Sequence, residues 1–321
     1  MKLLSPNEIN PVKEELEQVL DALDRMLLGR PALHRLVLAG ILARGHILLE
    51  GLPGLGKTAL VNALSRILTL DSKRIQFTPD LMPADILGAH VLETRADGSR
   101  EMVFRPGPVF CNLLLADEIN RASPKTQSAM LETMQERAVT LLGVTRPLPD
   151  PFFVLASQNP IELEGTYPLP EAQTDRFLFK LNVSAPNADT LAAILTTRSH
   201  GTLPDAPFTL SRDALLRAFA TVSQIVLPDA VARWIAHLVA ATHTLASVKY
   251  GASPRAAIAI AESARAVALL DGRPSVGFDD VRAVAAPALN HRLILDYRAK
   301  LDGASPRTII DGVLAAVPVA V

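Results

Sequence analysis

His46-Ile47-Leu48-Leu49-Glu50-Gly51-Leu52-Pro53-Gly54-Leu55-Gly56-Lys57-Thr58-Ala59-Leu60 is the stretch from which the rest of the chain can be read. The apolar run after His46 predicts a short buried strand, and the apolar spacing from Ala59 to Leu68 predicts a helix. Between them lies Gly-x-x-x-x-Gly-Lys-Thr. Glycines let backbone N–H groups close around phosphate oxygens, and the N-terminus of the following helix adds its positive end. In this pattern Lys57 reaches the β and γ phosphates and Thr58 offers its hydroxyl to Mg²⁺, while Pro53, Gly54, Leu55, Gly56 and Ala59 complete the cradle. The bland alternative is a glycine-rich turn, against which the strand-loop-helix context counts.

Further apolar runs follow at Arg74–Thr78, Asn112–Asp117, Phe152–Ser157 and Arg176–Leu181, separated by crossover segments. That alternation predicts an α/β nucleotide-binding layout with a parallel sheet between helices. Past Ser184-Ala185-Pro186-Asn187 the pattern changes to Ala-rich helices with expected starts near Ser211, Pro228, Ser253 and Phe278. The expected organisation is therefore an α/β domain over 1–185, with an N-terminal helix, and a smaller all-α domain over 186–321.

The run Leu113-Leu114-Leu115-Ala116-Asp117-Glu118 ends an apolar strand in two carboxylates. In open α/β sheets ligands bind outside the carboxyl ends of the strands, which delivers these acids to the edge that carries Lys57. Asp117 is then the metal-holding acid and Glu118 the general base toward water. Taken alone, the pair reads better as a solvated cap on the next helix; behind the matched phosphate loop that preference inverts.

Composition narrows the field. Thirty-two basic and 33 acidic residues leave a net charge of −1, without the basic footprint of a nucleic-acid binder. The single cysteine, Cys111, excludes an internal disulfide. The seven histidines carry no His-Glu-x-x-His spacing, so zinc is not expected, and Trp234 reads as core. The polar start and the lack of an apolar run of about 20 residues predict a cytoplasmic protein without membrane insertion, the Val313–Val321 tail docking on the body.

Together, Phe104-Arg105-Pro106-Gly107-Pro108-Val109-Phe110, Leu115–Ala122, Ser157-Gln158-Asn159-Pro160, Glu164-Gly165-Thr166-Tyr167-Pro168-Leu169-Pro170-Glu171-Ala172 and Asp175-Arg176-Phe177 resemble the MoxR family of AAA+ ATPases, in order from about residue 25 to about 300. The resemblance implies an AAA+ sheet order, a helical lid domain, ATP and Mg²⁺ as ligands, and a ring of usually six subunits. It also implies partners carrying a von Willebrand factor A domain and work on a protein client, often a metal-containing enzyme. By the same resemblance Asn159 orients the water, Arg176 is the arginine that enters a neighbour's site, and Arg255 is the second sensor at the γ phosphate. Read without the family, Asn159 is an Asn-Pro turn, Arg176 half of a surface pair with Asp175, and Arg255 an ordinary residue of a Pro-initiated helix. Gly29 and Arg30, in Leu28-Gly29-Arg30, stand where the family packs adenine, but Pro31 and Ala32 follow where an acidic or amide residue is common. Two excursions, 81–109 around Asp97-Gly98-Ser99, which reads as a small hairpin or a helix-containing excursion, and 138–149 around Gly143, which reads as a second hairpin, are expected to touch the client; the alternative is a loop with no partner. A DNA-handling motor and an ATP-binding scaffold with little turnover are the alternative functions.

Overall fold

The computed structural model describes residues 3–160, 166–197 and 203–319. Glu164 and Gly165 of the matched stretch, His200 and the last two residues of the apolar tail lie outside them. Ser5 starts the chain's first helix, its amide donating to Glu8 Oε2 at 2.7 Å; α1 (Pro6–Met26) and α2 (Pro31–Leu42) then lead into β1 (Ile47–Glu50), α3 (Lys57–Ile67) and β2 (Ser72–Gln76). The first excursion holds α4 (Pro83–Leu87) and the hairpin β3 (Gly88–Thr94) and β4 (Arg100–Pro106). After β5 (Leu113–Asp117) and α5 (Pro124–Glu136) comes the second hairpin, β6 (Ala138–Leu141) and β7 (Val144–Pro147), then β8 (Phe153–Gln158), α6 (Glu171–Thr174) and β9 (Phe179–Asn182). The remaining elements are α7 (Ala188–Thr197), α8 (Arg212–Gln224), α9 (Asp229–Ala241), β10 (Val248–Tyr250), α10 (Pro254–Leu270), α11 (Phe278–Leu289), β11 (Ile294–Leu295), α12 (Tyr297–Leu301) and α13 (Pro306–Ala316).

Five strands form one parallel sheet in the order β2-β5-β8-β1-β9. The runs of β1, β5 and β8 are apolar because both faces are covered, whereas the edge strand β2, Ser72-Lys73-Arg74-Ile75-Gln76, buries only Ile75. Ile47 and Leu49, Leu113 and Leu115, Phe153 and Leu155, Phe179 and Leu181 face one core, whereas Leu48, Leu114, Ala116, Val154 and Ala156 face the other. The first of these cores does not stop at the sheet. It runs through α1, α2 and α3 into the lid helices, taking in Trp234, Leu238, Ile260 and Leu269. The expected boundary at 185/186 falls in the extended segment between β9 and α7.

Capping chemistry locates the lid helices. Ser211, Pro228 and Ser253 are the N-caps of α8, α9 and α10, and Gly277 caps α11 one residue before Phe278. Among its described residues, the lid's regular structure is helical apart from the short antiparallel ladder β10–β11 and the isolated bridge between Val226 and Ser275. One strand starts later than its apolar run suggests: residues 175–178 form a turn, and β9 begins only at Phe179. Both excursions are hairpins. The second closes through Leu142 and Gly143, at φ +50° and +77°, a two-residue turn with both dihedrals positive. Leu142 at its tip is 82% exposed. The guanidinium of Arg146 stacks 4.0 Å over the Phe104 ring and joins the two hairpins into one unit.

His46 ties the sheet to the end of α5. The Val154 amide donates to its Nδ1 at 3.0 Å, so its Nε2–H faces the Met134 carbonyl at 3.0 Å and the ring is neutral. Burial pushes its pKa down to about 4, and burial likewise holds His291 down to about 3. An unfolded histidine takes up a proton near 6.5, so the unfolded chain gains protons between pH 6.5 and 4 that the folded chain refuses. Stability is therefore expected to fall with pH through that window, by about 3 kcal/mol from His46 alone. Urea unfolding across pH 4–7 measures the slope, and His46→Asn should flatten it. Leu16, fully buried on α1, tests the shared core: Leu16→Ala should cost about 2–5 kcal/mol in a single urea transition, and separate transitions for sheet and lid would contradict it.

Candidate active site

The loop after β1 is shaped by what its backbone must do. Gly54 and Gly56 lie at φ +79° and +81°, and Gly56 is the N-cap of α3; L side chains avoid this region. A Cβ on Gly51 would meet the Val183 carbonyl at 2.6 Å. Lys57 opens α3 and is only 8% exposed, its Nζ donating to the Gly51 carbonyl at 2.8 Å. Burial lowers its pKa, opposed by the charges of Asp117 and Glu118. A cavity of about 500 Å³ opens beside it, lined by Gly54, Leu55, Gly56, Lys57 and Ala59, and by Leu28, Arg30, Val183, Leu191 and Ile194. Of the adenine candidates, Arg30 lines this cavity and Gly29 lines a neighbouring one of about 780 Å³. Arg30 donates to the carbonyls of Leu55 at 2.5 Å and Ser184 at 2.8 Å, which fastens the phosphate loop to the chain leaving β9.

Parallel pairing brings β1, β5 and β8 to this same edge, where Glu50 sits opposite Gln158 and Gln76 opposite Asp117. Asp117 Oδ1 accepts from Ser157 Oγ at 2.5 Å, and its Oδ2 accepts from Arg74 Nη2 at 2.8 Å and Nε at 3.2 Å. Glu118 is held at φ +56°. Its amide donates to Ser157 Oγ at 3.0 Å, and its Oε2 accepts from Gln76 Nε2 at 2.6 Å, with Arg121 Nη1 3.4 Å away. Arg74, Gln76 and Ser157 thus handle both acids, and the motif reading did not single them out. The signal available was slight: polar residues at 74 and 76 flank the apolar Ile75 at the end of β2. Asn159 follows β8, is 7% exposed and lines a cavity of about 400 Å³ with Asn120, Gln158, Lys180 and His291. Two of these residues are tied to Glu50, whose Oε1 accepts from Gln158 Nε2 at 2.6 Å and pairs with Lys180 Nζ at 2.8 Å.

Arg176 and Arg255 are elsewhere. Arg176 precedes β9, whose first residue pairs with the first residue of β1, so it stands at the amino edge of the sheet. With Arg255, Arg44, Arg137 and Arg292 it lines a cavity of about 470 Å³ whose acids are Asp175 and Glu262. No described residue lines both this cavity and that of Lys57. The Nε of Arg176 is buried without a hydrogen-bond partner, and Arg255 Nη1 lies 3.9 Å from Asp175 Oδ2. The expected set therefore divides in two: Lys57, Thr58, Asp117, Glu118 and Asn159 at the carboxyl edge, Arg176 and Arg255 at the amino edge. The reason is topological, because β9 runs parallel to β1 and the turn before it must lie at the end opposite the phosphate loop.

A profile described as "ATPase family associated with various cellular activities (AAA)" matches residues 46–179, and an AAA lid domain profile matches residues 240–313. YeaC of Bacillus subtilis is 43% identical over 308 residues, covering 95% of each chain. Chaperone MoxR1 of Mycobacterium tuberculosis is 43% identical over 311 residues, covering 94% of this chain and 81% of its own. Protein MoxR of Paracoccus denitrificans is 33% identical over 339 residues, covering 93% and 94%. The crystal structure of a candidate ATPase from Cytophaga hutchinsonii superposes with a TM-score of 0.90 at 38% identity and 98% coverage of both chains. The sheet order, the lid and these relatives along nearly the whole length agree, and the chain belongs to the MoxR family of AAA+ ATPases.

Proposed function

We propose that this protein hydrolyses ATP with Mg²⁺ at sites shared between neighbouring copies in a ring, six subunits being the expected number, and spends the turnover on remodelling a protein client. One observation carries the reading: the phosphate loop and its acids occupy one edge of the sheet, while Arg176, with an unpartnered buried Nε, occupies the other beside Arg255. A head-to-tail contact, repeated until it closes, apposes two such unlike faces.

The residues fit the ligands. Gly54 and Gly56 hold the backbone open as an anion cradle, and Lys57 exchanges the Gly51 carbonyl for phosphate oxygens. Thr58 and Asp117 would hold Mg²⁺. The described residues contain no group of three or more His, Cys, Asp or Glu placed to hold a metal ion by themselves; one carboxylate, a hydroxyl and phosphate oxygens are what this ion ordinarily takes. Bound there, the ion neutralises charge on the phosphates. Glu118, released from Gln76, accepts a proton from the attacking water as its oxygen bonds to the γ phosphorus and the bond to the ADP oxygen breaks. Asn159 orients that water. Arg176 of the adjacent copy neutralises the charge that develops on the transferred group, and Arg255 reaches the same phosphate from the same side. On this reading the second sensor serves the neighbour's nucleotide rather than its own chain's.

The joined hairpins, with Leu92 and Met102 paired across β3–β4 and more than half exposed, are the surface for the client. A partner with a von Willebrand factor A domain and a cytoplasmic location complete the proposal. No helix among the described residues is long and apolar enough to cross a membrane.

Steady-state ATPase measured against protein concentration, with light scattering, tests the shared site. Specific activity should rise as copies assemble. Glu118→Gln should bind ATP and lose turnover by about 10²–10⁴-fold, Lys57→Ala should lose binding, and Arg176→Ala should assemble with turnover down about 10³-fold or more. Activity independent of concentration and untouched by Arg176→Ala would refute the shared site. Trimming Asp97–Arg100 should leave basal turnover in place and remove client activation; activation unchanged would take the client role from this hairpin.

A further inference from the structure

Arg292, just past α11 in the lid, is a side chain 3% exposed in contact with the turn that carries Arg176. Its Nε donates to Asp175 Oδ1 at 2.7 Å. Its Nη2 donates to the carbonyls of Asp175 at 2.9 Å and Phe177 at 2.7 Å, and its Nη1 to those of Leu178 at 3.2 Å and Ala288 at 2.5 Å. A guanidinium has five N–H groups, and here each has an acceptor. Four of those bonds land on residues 175, 177 and 178, on both sides of Arg176, and the fifth anchors the group to its own helix.

The lid holds this turn at further points. Ser253 Oγ lies 3.0 Å from both carboxylate oxygens of Asp175. His291 Nε2 lies 3.0 Å from the Phe177 carbonyl, and Asn290 Nδ2 donates to the Lys180 carbonyl at 3.0 Å. Asp175 is thus approached from the lid by Ser253, Arg255 and Arg292, while the next residue in the chain projects into the arginine-lined cavity. A solvated surface arginine would touch one partner loosely; a desolvated one wrapped around backbone carbonyls fixes a conformation.

We propose that Arg292 is a positioning residue for the arginine pair: through Asp175 and the 175–178 carbonyls it locks lid and finger turn together, so that Arg176 and Arg255 reach the neighbouring copy's phosphates in one fixed arrangement. This rests on the shared-site reading. Arg292 itself touches no nucleotide; it acts through Asp175 and Arg176.

The test uses Arg292→Lys in the full chain. Lysine keeps the charge and can pair with Asp175, but its single ammonium cannot span the carbonyls on both sides of the turn. Turnover should fall roughly 10- to 100-fold, the scale of a misplaced catalytic group, with KM, affinity for a fluorescent ATP analogue and assembly within about twofold of wild type. Rings co-expressed from Arg292→Lys and Glu118→Gln chains should regain activity, toward about a quarter of wild type, the share of interfaces pairing an intact acid with an intact finger under random mixing. Arg176→Ala mixed with Glu118→Gln is the reference. If that reference regains activity while Arg292→Lys either keeps wild-type turnover or is not complemented, the positioning role is overturned and the shared site stands. If the reference also fails, the shared site falls and the proposal with it. Should Arg292→Lys not fold, Asp175→Asn decides in the same assays: a smaller loss of turnover with the same complementation supports the clamp, and wild-type turnover overturns it.

Discussion

Five strands running in one direction impose the constraint on which everything chemical in this molecule depends. A parallel sheet has two unlike edges, and the chain must cross over between strands to keep their direction common. Whatever follows a strand lies at one edge and whatever precedes a strand lies at the other. The phosphate loop follows β1, Asp117 and Glu118 end β5, and Asn159 follows β8; Arg176 precedes β9. No adjustment of side chains can bring an arginine at the amino edge to a phosphate at the carboxyl edge of the same sheet. That separation is what supports the proposed shared site, in which one edge of the sheet faces the other edge of an adjacent copy.

The lid belongs to this geometry rather than standing apart from it. Its helices share a hydrophobic core with one face of the sheet, and its polar contacts include those on the turn before β9 and on Lys180 within it. A buried arginine without acceptors would cost several kcal/mol in uncompensated desolvation. Arg292 avoids that cost because the turn 175–178 offers its carbonyls inward and Asp175 supplies the charge. At the carboxyl edge, polar groups likewise constrain the acids. Gln76 and Arg74 on β2 hold Glu118 and Asp117, and in the proposed mechanism these are the partners that nucleotide and metal ion would replace.

What could be read in advance follows from how local the chemistry is. Gly54, Gly56, Lys57 and Thr58 form one phosphate-binding pattern over eight consecutive residues, and the lid helices announce themselves through Ser211, Pro228 and Ser253 at their starts. Asp117 and Glu118 stood out because an apolar run delivers them to a known edge. Asn159, Arg176 and Arg255 were legible only through the family resemblance. Arg74, Gln76 and Ser157 were not, since their contacts depend on which strands lie side by side and in what register. Arg292 was hidden for the opposite reason: an arginine beyond a helix end ordinarily reads as solvated, and only the packing of lid on sheet buries it. The apolar continuity of Phe177-Leu178-Phe179 masked the break between turn and strand that puts Arg176 where it is.

Whether each site is built from two chains can be seen in a structure of the assembled Glu118→Gln protein with ATP and Mg²⁺. The distances to read are those from the guanidinium groups of Arg176 and Arg255 to the γ phosphates on either side of the interface. For a shared site, both arginines should lie within hydrogen-bond reach of the nucleotide seated on the adjacent copy's Lys57. An Arg255 folded onto its own chain's nucleotide, or an Arg176 facing solvent in the closed assembly, would contradict it.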